Sequence, residues 1–173
     1  MAAMTTPLVG IIMGSKSDLD IMSGAAKTLD EFSVSYEVRI VSAHRTPQAM
    51  NKYAQSAKER GIKVIIAGAG GSAHLPGMTA SETILPVIAI PVRRSGGHEA
   101  FWSNIKMPPG IPLATMPENG AEYGALFAIR ILALNDPRLA TAYEVFVNKQ
   151  RDMVIALDQE LQEKGWENIL KKG

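Results

Sequence analysis

The 173-residue sequence contains no cysteine. That absence rules out a disulfide framework, a thiol nucleophile and any cysteine-ligated zinc or iron–sulfur site. A dominant charge is missing too. The 18 basic and 17 acidic residues leave a net +1, so no general field draws the chain toward nucleic acid or an anionic membrane. No window holds a membrane-spanning run of apolar residues, and the start, "MAAMTTP", lacks the basic flank before a long apolar run that marks a targeting segment. A cytoplasmic protein, with neither nucleic acid nor membrane as partner, is the expectation. The three histidines, His44, His74 and His98, are far apart in sequence and lack an i,i+4 pair, so no metal site is expected. There is no Gly-x-Ser-x-Gly elbow for a serine hydrolase, no internal repeat and no low-complexity tract.

What is present reads as a single folded domain. Hydrophobic content of 46% and charged content of 20% are ordinary for a globular chain of this length. Four near-continuous apolar runs, "LVGIIM" (Leu8–Met13), "YEVRIV" (Tyr36–Val41), "KVIIAGA" (Lys63–Ala69) and "PVIAIPV" (Pro86–Val92), read as strands buried on both faces of a parallel sheet. "IPLAT" (Ile111–Thr115) is a shorter fifth. Between them, roughly Asp18–Phe32, Pro47–Arg60, Leu75–Thr83 and Gly120–Leu134 carry apolar residues at helical spacing. The alternation predicts a three-layer α/β/α sandwich with a doubly wound, flavodoxin-like parallel sheet, its core spanning residues 8–134.

Two segments break the alternation. Arg93–Gly110, "RRSGGHEAFWSNIKMPPG", is a loop-rich excursion with a short helix expected around Glu99–Ile105. From Pro137 a long helical pattern carries Leu139, Tyr143, Phe146, Met153, Leu157 and Leu161. At about 1.5 Å per residue, Pro137 to Glu163 would reach roughly 40 Å, longer than a small domain is wide. An apolar stripe of that length points to packing on a neighbouring subunit. A helix folded back over its own sheet is the alternative. The closing "ENILKKG" reads as a frayed end.

In open α/β sheets, ligands bind outside the carboxyl ends of the strands. Three strand ends are unusual here. After the first comes "MGSKSD" (Met13–Asp18): Gly14 admits close backbone approach, Ser15 and Ser17 bring hydroxyls, and a helix begins near Ser17 or Asp18, which favours an anion. Taken alone, these letters read better as a plain Gly-Ser turn with an Asp helix cap. After the second comes "SAHRTP", with Ser42, His44 and Arg45, then Thr46-Pro47 as the cap and first turn of a helix. The arginine can grip a phosphate beside the Ser15 hydroxyl, and the histidine can exchange a proton near neutral pH. A capped turn with a solvated arginine is the alternative. After the third comes "GAGGSAHLPG" (Gly68–Gly77). Three glycines in four residues mean close backbone approach or positive φ, and a buried-looking His74 follows. Together the three loops point to a small phosphorylated substrate and to proton transfer by histidine, with no metal.

"GSKSD" (Gly14–Asp18), "SAHRTP" (Ser42–Pro47), "AGAGGSAHLPGM" (Ala67–Met78) and "MPPGIPLAT" (Met107–Thr115) resemble the aminoimidazole ribonucleotide carboxylase family of purine biosynthesis, on its mutase branch. The similarity runs in order and spacing from about Leu8 to Leu134. It implies a cofactor-independent isomerase, assembled as a homo-octamer, whose substrate is a small phosphorylated ribonucleotide. Ser15, Asp18 and Arg45 would bind ribose and phosphate. His44 would be the catalytic acid and base. Ser42, Gly70, Gly71, Ser72, His74 and Leu75 would wall the aminoimidazole and its carboxylate. The implied reaction moves a carboxylate from the exocyclic nitrogen of N5-carboxyaminoimidazole ribonucleotide to the adjacent ring carbon.

The sequence departs from the family in several places. Ser72 stands where alanine is usual, and Tyr123 where asparagine is. The excursion is two residues shorter, with Glu99 near an aspartate position and Lys106 for glutamine, so no site role is carried into Arg93–Lys106. The family's other branch, which carboxylates aminoimidazole ribonucleotide directly with carbon dioxide, usually shows Ser-Ala-His-Lys-Thr and lacks the Gly-Gly-x-Ala-His-Leu-Pro run. Arg45 and His74 therefore favour the mutase. A non-catalytic, flavodoxin-like binding module is a rival of another class.

Overall fold

A computed structural model describes residues 6–94 and 96–170. Most of "MAAMTTP" and the last three residues of "ENILKKG" lie outside them. The chain divides into two compact units, Met1–Leu132 and Ala133–Gly173.

The first unit is built on five strands: β1 (Val9–Met13), β2 (Tyr36–Ile40), β3 (Val64–Gly70), β4 (Val87–Val92) and β5 (Ala114–Thr115). All pair in parallel, in the order β2-β1-β3-β4-β5. The connecting helices are α1 (Leu19–Glu31), α2 (Pro47–Ala57), α3 (His74–Ser81), α4 (Glu99–Ile105) and α5 (Ala121–Ala133). This is the doubly wound, flavodoxin-like sheet that the strand–helix alternation predicts. β1, β4 and all of β3 but Gly70 are buried, as two-sided coverage requires.

Alternation along the strands sorts the two helix layers. Ile12, Ile65, Ala67 and Val87 belong to a core cluster with Met50 and Tyr53 of α2, Leu75 of α3 and Ala100 of α4. On the other face, Gly124 of α5 seats against Ile66, Ile88 and Ile90, and Gly68 of β3 faces Met22 of α1. A side chain at Gly68 would overlap the Met22 thioether, so this glycine of the "GAGG" run is spent on helix–sheet packing rather than on a ligand. Each fully buried Ile, Leu or Met in these layers contributes about 1.5–3 kcal/mol of transfer free energy.

Two strand expectations are corrected. β2 is not buried on both faces: it is the sheet edge, with Val38 and Ile40 40% and 54% exposed. Its "YEVRI" alternates polar and apolar, the pattern of a half-covered strand. β5 shrinks to two residues, because Pro112 removes a ladder donor from the run that precedes it. The short helix of the excursion falls at Glu99–Ile105, as expected.

The second unit holds α6 (Pro137–Lys164) and α7 (Trp166–Leu170). α6 starts on a full cap: the Asp136 carboxylate accepts from the Arg138 and Leu139 amides, with Pro137 in the first turn. Gly165, at φ 74°, ends it. Leu139 alone of this helix is buried, while Val145, Met153, Val154 and Leu157 are each more than half exposed. "ENIL" is helical in α7 rather than frayed. Among the described residues no helix is long and apolar enough to cross a membrane.

Candidate active site

The order β2-β1-β3 puts the three unusual loops side by side at the carboxyl edge of the sheet, and the chain reverses its winding direction between β1 and β3. That crevice is where a doubly wound sheet takes its ligand. Gly14, Ser15, Ser17, Asp18, Ser42, His44, Arg45, Gly70, Ser72, His74 and Leu75 all line one cleft there, of about 500 Å³.

The β1 turn is a single 3-10 turn, Lys16–Asp18, whose Ser15 hydroxyl accepts from the Ser17 amide at 3.3 Å. Asp18 stands at the start of α1 without capping it. The residue is 6% exposed, and its carboxylate instead accepts from the Ser17 hydroxyl at 3.4 Å. The Asp helix cap of the plainer alternative is therefore absent, and the side chain is left to the cleft. In the β2 turn, Thr46 sits at the start of α2 but bonds back to Ser42: its hydroxyl accepts from the Ser42 amide and donates to the Ser42 carbonyl. Pro47 opens α2 as expected. Ala73, at φ 45°, precedes α3 in the left-handed conformation with no side-chain cap. Such backbone costs of order 1 kcal/mol and persists where surroundings impose it. Gly71, at φ 60°, supplies the positive φ that the glycine run predicts. No side chain caps α2 or α3, so neither cap competes with an anion for their first-turn N–H groups.

Two contacts set the electrostatics. His44 Nε2 and His74 Nδ1 lie 2.8 Å apart, their rings at 86°. One ring must donate and the other accept, so the pair holds one extra proton and no more while the bond lasts. His74, expected to be buried, is exposed on the cleft. The Arg45 guanidinium donates to the Gly14 carbonyl at 2.6 Å and to the Ser42 hydroxyl at 3.4 Å, tying the first loop to the second while lining the cleft. It is exposed, yet not a free cation.

Burial pushes the Asp18 carboxyl up from the usual carboxylate range, against the Ser17 hydroxyl and the nearby charge of Arg94, which pull it down. Arg94 itself lines the cleft. It donates to both Asp20 oxygens, at 2.8 and 2.5 Å, and to the Ser17 carbonyl. This bond holds the Asp20 carboxyl below its ordinary range.

Gly71 stands apart from the other anticipated residues: it lines a smaller hollow of about 220 Å³ with Arg93, Arg94 and Glu99. Sequence reasoning missed Arg94 by carrying no role into the excursion. The signal was available, because Arg93 and Arg94 directly follow β4 and obey the same strand-end rule. The His44–His74 contact had no sequence signal, being a matter of side-chain geometry across 30 residues.

Fold and cleft together define a flavodoxin-like α/β protein with a polar strand-end site carrying two histidines and two arginines. Residues 8–153 match the model of the AIR carboxylase family, and the chain belongs to that family. It is 51% identical over 158 residues to a protein of Mycobacterium tuberculosis named N5-carboxyaminoimidazole ribonucleotide mutase, covering 90% of this chain and 91% of that one. It is 50% identical over 173 residues to the phosphoribosylaminoimidazole carboxylase of Saccharomyces cerevisiae, covering 99% of this chain but 30% of the length of the yeast protein. The crystal structure of Treponema denticola PurE superposes with a TM-score of 0.82 at 28% identity, over 92% of this chain and 99% of that one.

Proposed function

We propose that this chain is a cofactor-independent mutase that converts N5-carboxyaminoimidazole ribonucleotide into 4-carboxy-5-aminoimidazole ribonucleotide in purine biosynthesis. The observation that carries the reading is the His44–His74 pair, 2.8 Å apart beside Arg45 in one cleft. Arg45, Ser15 and Asp18 bind the phosphate and ribose. Ser42, Gly70, Ser72, His74 and Leu75 wall the aminoimidazole, and Gly71 lets the wall turn. His44, protonated within the pair, gives its proton to the exocyclic nitrogen, and the nitrogen–carboxylate bond breaks to leave neutral carbon dioxide. The adjacent ring carbon attacks that carbon dioxide to form the new carbon–carbon bond. His44 then takes the proton from the same ring carbon, restoring the starting protonation state. Carbon dioxide must be held through both steps, so the loaded cleft has to exclude water.

Incubating the purified protein with N5-carboxyaminoimidazole ribonucleotide and following the carbon-carboxylated isomer tests this directly. Direct carboxylation of aminoimidazole ribonucleotide is the second reading, favoured by the carboxylase name of relatives as similar as the yeast protein. Product formed from aminoimidazole ribonucleotide and bicarbonate, but not from the N5-carboxy compound, would select it. Ligand binding without turnover of either would point to a binding module.

The reading extends to assembly and location. α6, of 28 residues, leaves Val145, Met153, Val154 and Leu157 largely uncovered in a single chain, a stripe fit to pack on a neighbouring subunit of a homo-octamer. A monomer in sedimentation of the full-length chain would count against it. A cytoplasmic location suits a metabolic enzyme of this kind.

A further inference from the structure

Arg94 leaves the end of β4, lines the cleft, and reaches the turn after β1, so a single side chain spans the strand that lies between them. Its guanidinium takes both Asp20 oxygens end-on and the Ser17 carbonyl as well. These partners bracket Asp18 in sequence, one on each side. Ser17 also shapes the site, since its amide bonds the Ser15 hydroxyl and its own hydroxyl bonds Asp18.

We propose that Arg94 is a positioning residue of the cleft: from the end of β4 it clamps Ser17 and Asp20, and so holds the β1 turn in the conformation that presents Ser15, Ser17 and Asp18 to a sugar phosphate. The proposal rests on the reading of this cleft as a ribonucleotide site and adds a contribution from the excursion. Geometry argues for positioning rather than for a direct grip on the ligand. The fork of the guanidinium is filled by the Asp20 carboxylate in the two-point arrangement an arginine makes best, so an incoming phosphate would have to displace that partner. Arg45, bound only to a carbonyl and a hydroxyl, is the cation better placed to serve the phosphate. The Arg94 charge also opposes the burial that pushes the Asp18 carboxyl up.

Stability and positioning separate cleanly here. Arg94 and Asp20 are 44% and 64% exposed, and an exposed ion pair contributes little to folding, so the variants fold. The experiment takes the full-length chain, Arg94→Ala, Asp20→Asn and the double variant. It measures amide hydrogen exchange across residues 14–20, and affinity for ribose 5-phosphate by calorimetry. Each single variant should speed exchange in that segment and weaken the sugar phosphate about tenfold, with an unchanged melting temperature. The double variant should be no worse than either single one, as coupled neighbours behave. Arg94→Lys, which keeps the charge but not the fork, should recover only part of the loss. Unchanged exchange in Arg94→Ala overturns the clamp. Weaker binding in Arg94→Ala with a normal Asp20→Asn also overturns it, because the arginine would then touch the ligand itself. A chain that binds ribose 5-phosphate in this Arg94-dependent way yet forms no isomer would discard the mutase reading and leave the clamp standing.

Discussion

The three loops after β1, β2 and β3 and the excursion of residues 93–110 leave the same edge of one sheet, yet they are held by different means. The first three are short, and most of their bonds stay within a loop or join neighbours: Ser15 to Ser17, Ser42 to Thr46 and Arg45, Arg45 to Gly14. The excursion is fastened from far away in sequence. Arg93 and His98 meet Glu118, the Arg93 backbone pairs twice with the Asn119 side chain, the Ser103 hydroxyl donates to the Ser72 carbonyl, and Arg94 crosses to Asp20. A loop shaped by its own residues can be read from its own letters. One shaped by distant partners cannot.

The same contrast divides the rest of the molecule. β3 and β4 are legible because burial on both faces leaves continuous apolar runs. β2 misleads because Val38 and Ile40 look like core letters, while the neighbouring Glu37 and Arg39 carry the edge signal. Gly68 and Gly71 are the same letter in one run, but one makes room for Met22 and the other turns through positive φ. Local sequence does not separate those demands. Most of the cleft residues follow from strand ends alone, since topology rather than side-chain detail brings them together. Arg94 escapes when the excursion is discounted as a whole.

If the short loops carry the chemistry, the largest effect belongs there. His44→Asn keeps the bulk and some hydrogen bonding but cannot shuttle a proton. Turnover should fall at least about a hundredfold, the usual scale for losing a general acid–base, with substrate affinity nearly normal. His74→Asn should cost less, since it removes the partner of the proton but not its carrier. Steady-state assays of both variants check this. A His44→Asn enzyme that keeps most of its turnover while His74→Asn abolishes it would transfer the acid–base role to the third loop.

Arg45→Ala comes next. Charge-assisted bonds contribute about 1.5–3 kcal/mol each, so affinity for the substrate should drop at least about tenfold. The lost bond to the Gly14 carbonyl lies in an exposed loop, so the melting temperature should move little. Calorimetry and a thermal melt on one sample decide it. A variant that melts easily and binds normally would make Arg45 a brace and nothing more.

Asp18→Asn should separate the two effects within one residue. The folded-state carboxyl titrates above its ordinary 3.8 because burial disfavours its charge. The folded state therefore binds the proton more tightly than the unfolded chain, and this group lowers stability as pH rises from about 3.8 through the raised value. Asparagine removes that penalty. At neutral pH the variant should be the more stable protein, by an amount on the order of 1 kcal/mol, yet weaker in binding substrate. Below the ordinary carboxylate range the gain should vanish. A variant less stable at neutral pH would mean that Asp18 is ionised and well paired.

The smallest effect is expected where the excursion is fastened. Glu118 is largely buried, and its Oε2 meets His98 Nδ1 at 2.8 Å and Arg93 Nη1 at 3.5 Å. Its other oxygen is buried with no hydrogen-bond partner among the described residues. A glutamine in its place would keep one acceptor and lose the charge, so Glu118→Gln removes the ion pair with Arg93, itself 44% exposed, and weakens the acceptor that meets His98. Pairs of that exposure contribute about 1 kcal/mol or less, and burying a neutral amide in place of a charged carboxylate offsets part of that loss. The melting temperature should fall slightly, kcat/KM should stay within about twofold of the parent, and the stability difference should shrink in about 1 M salt, where exposed charges are screened within about 3 Å. A large fall in kcat/KM at an unchanged melting temperature would break the comparison. The whole excursion, and not Arg94 alone, would then shape the cleft as directly as the three short loops do.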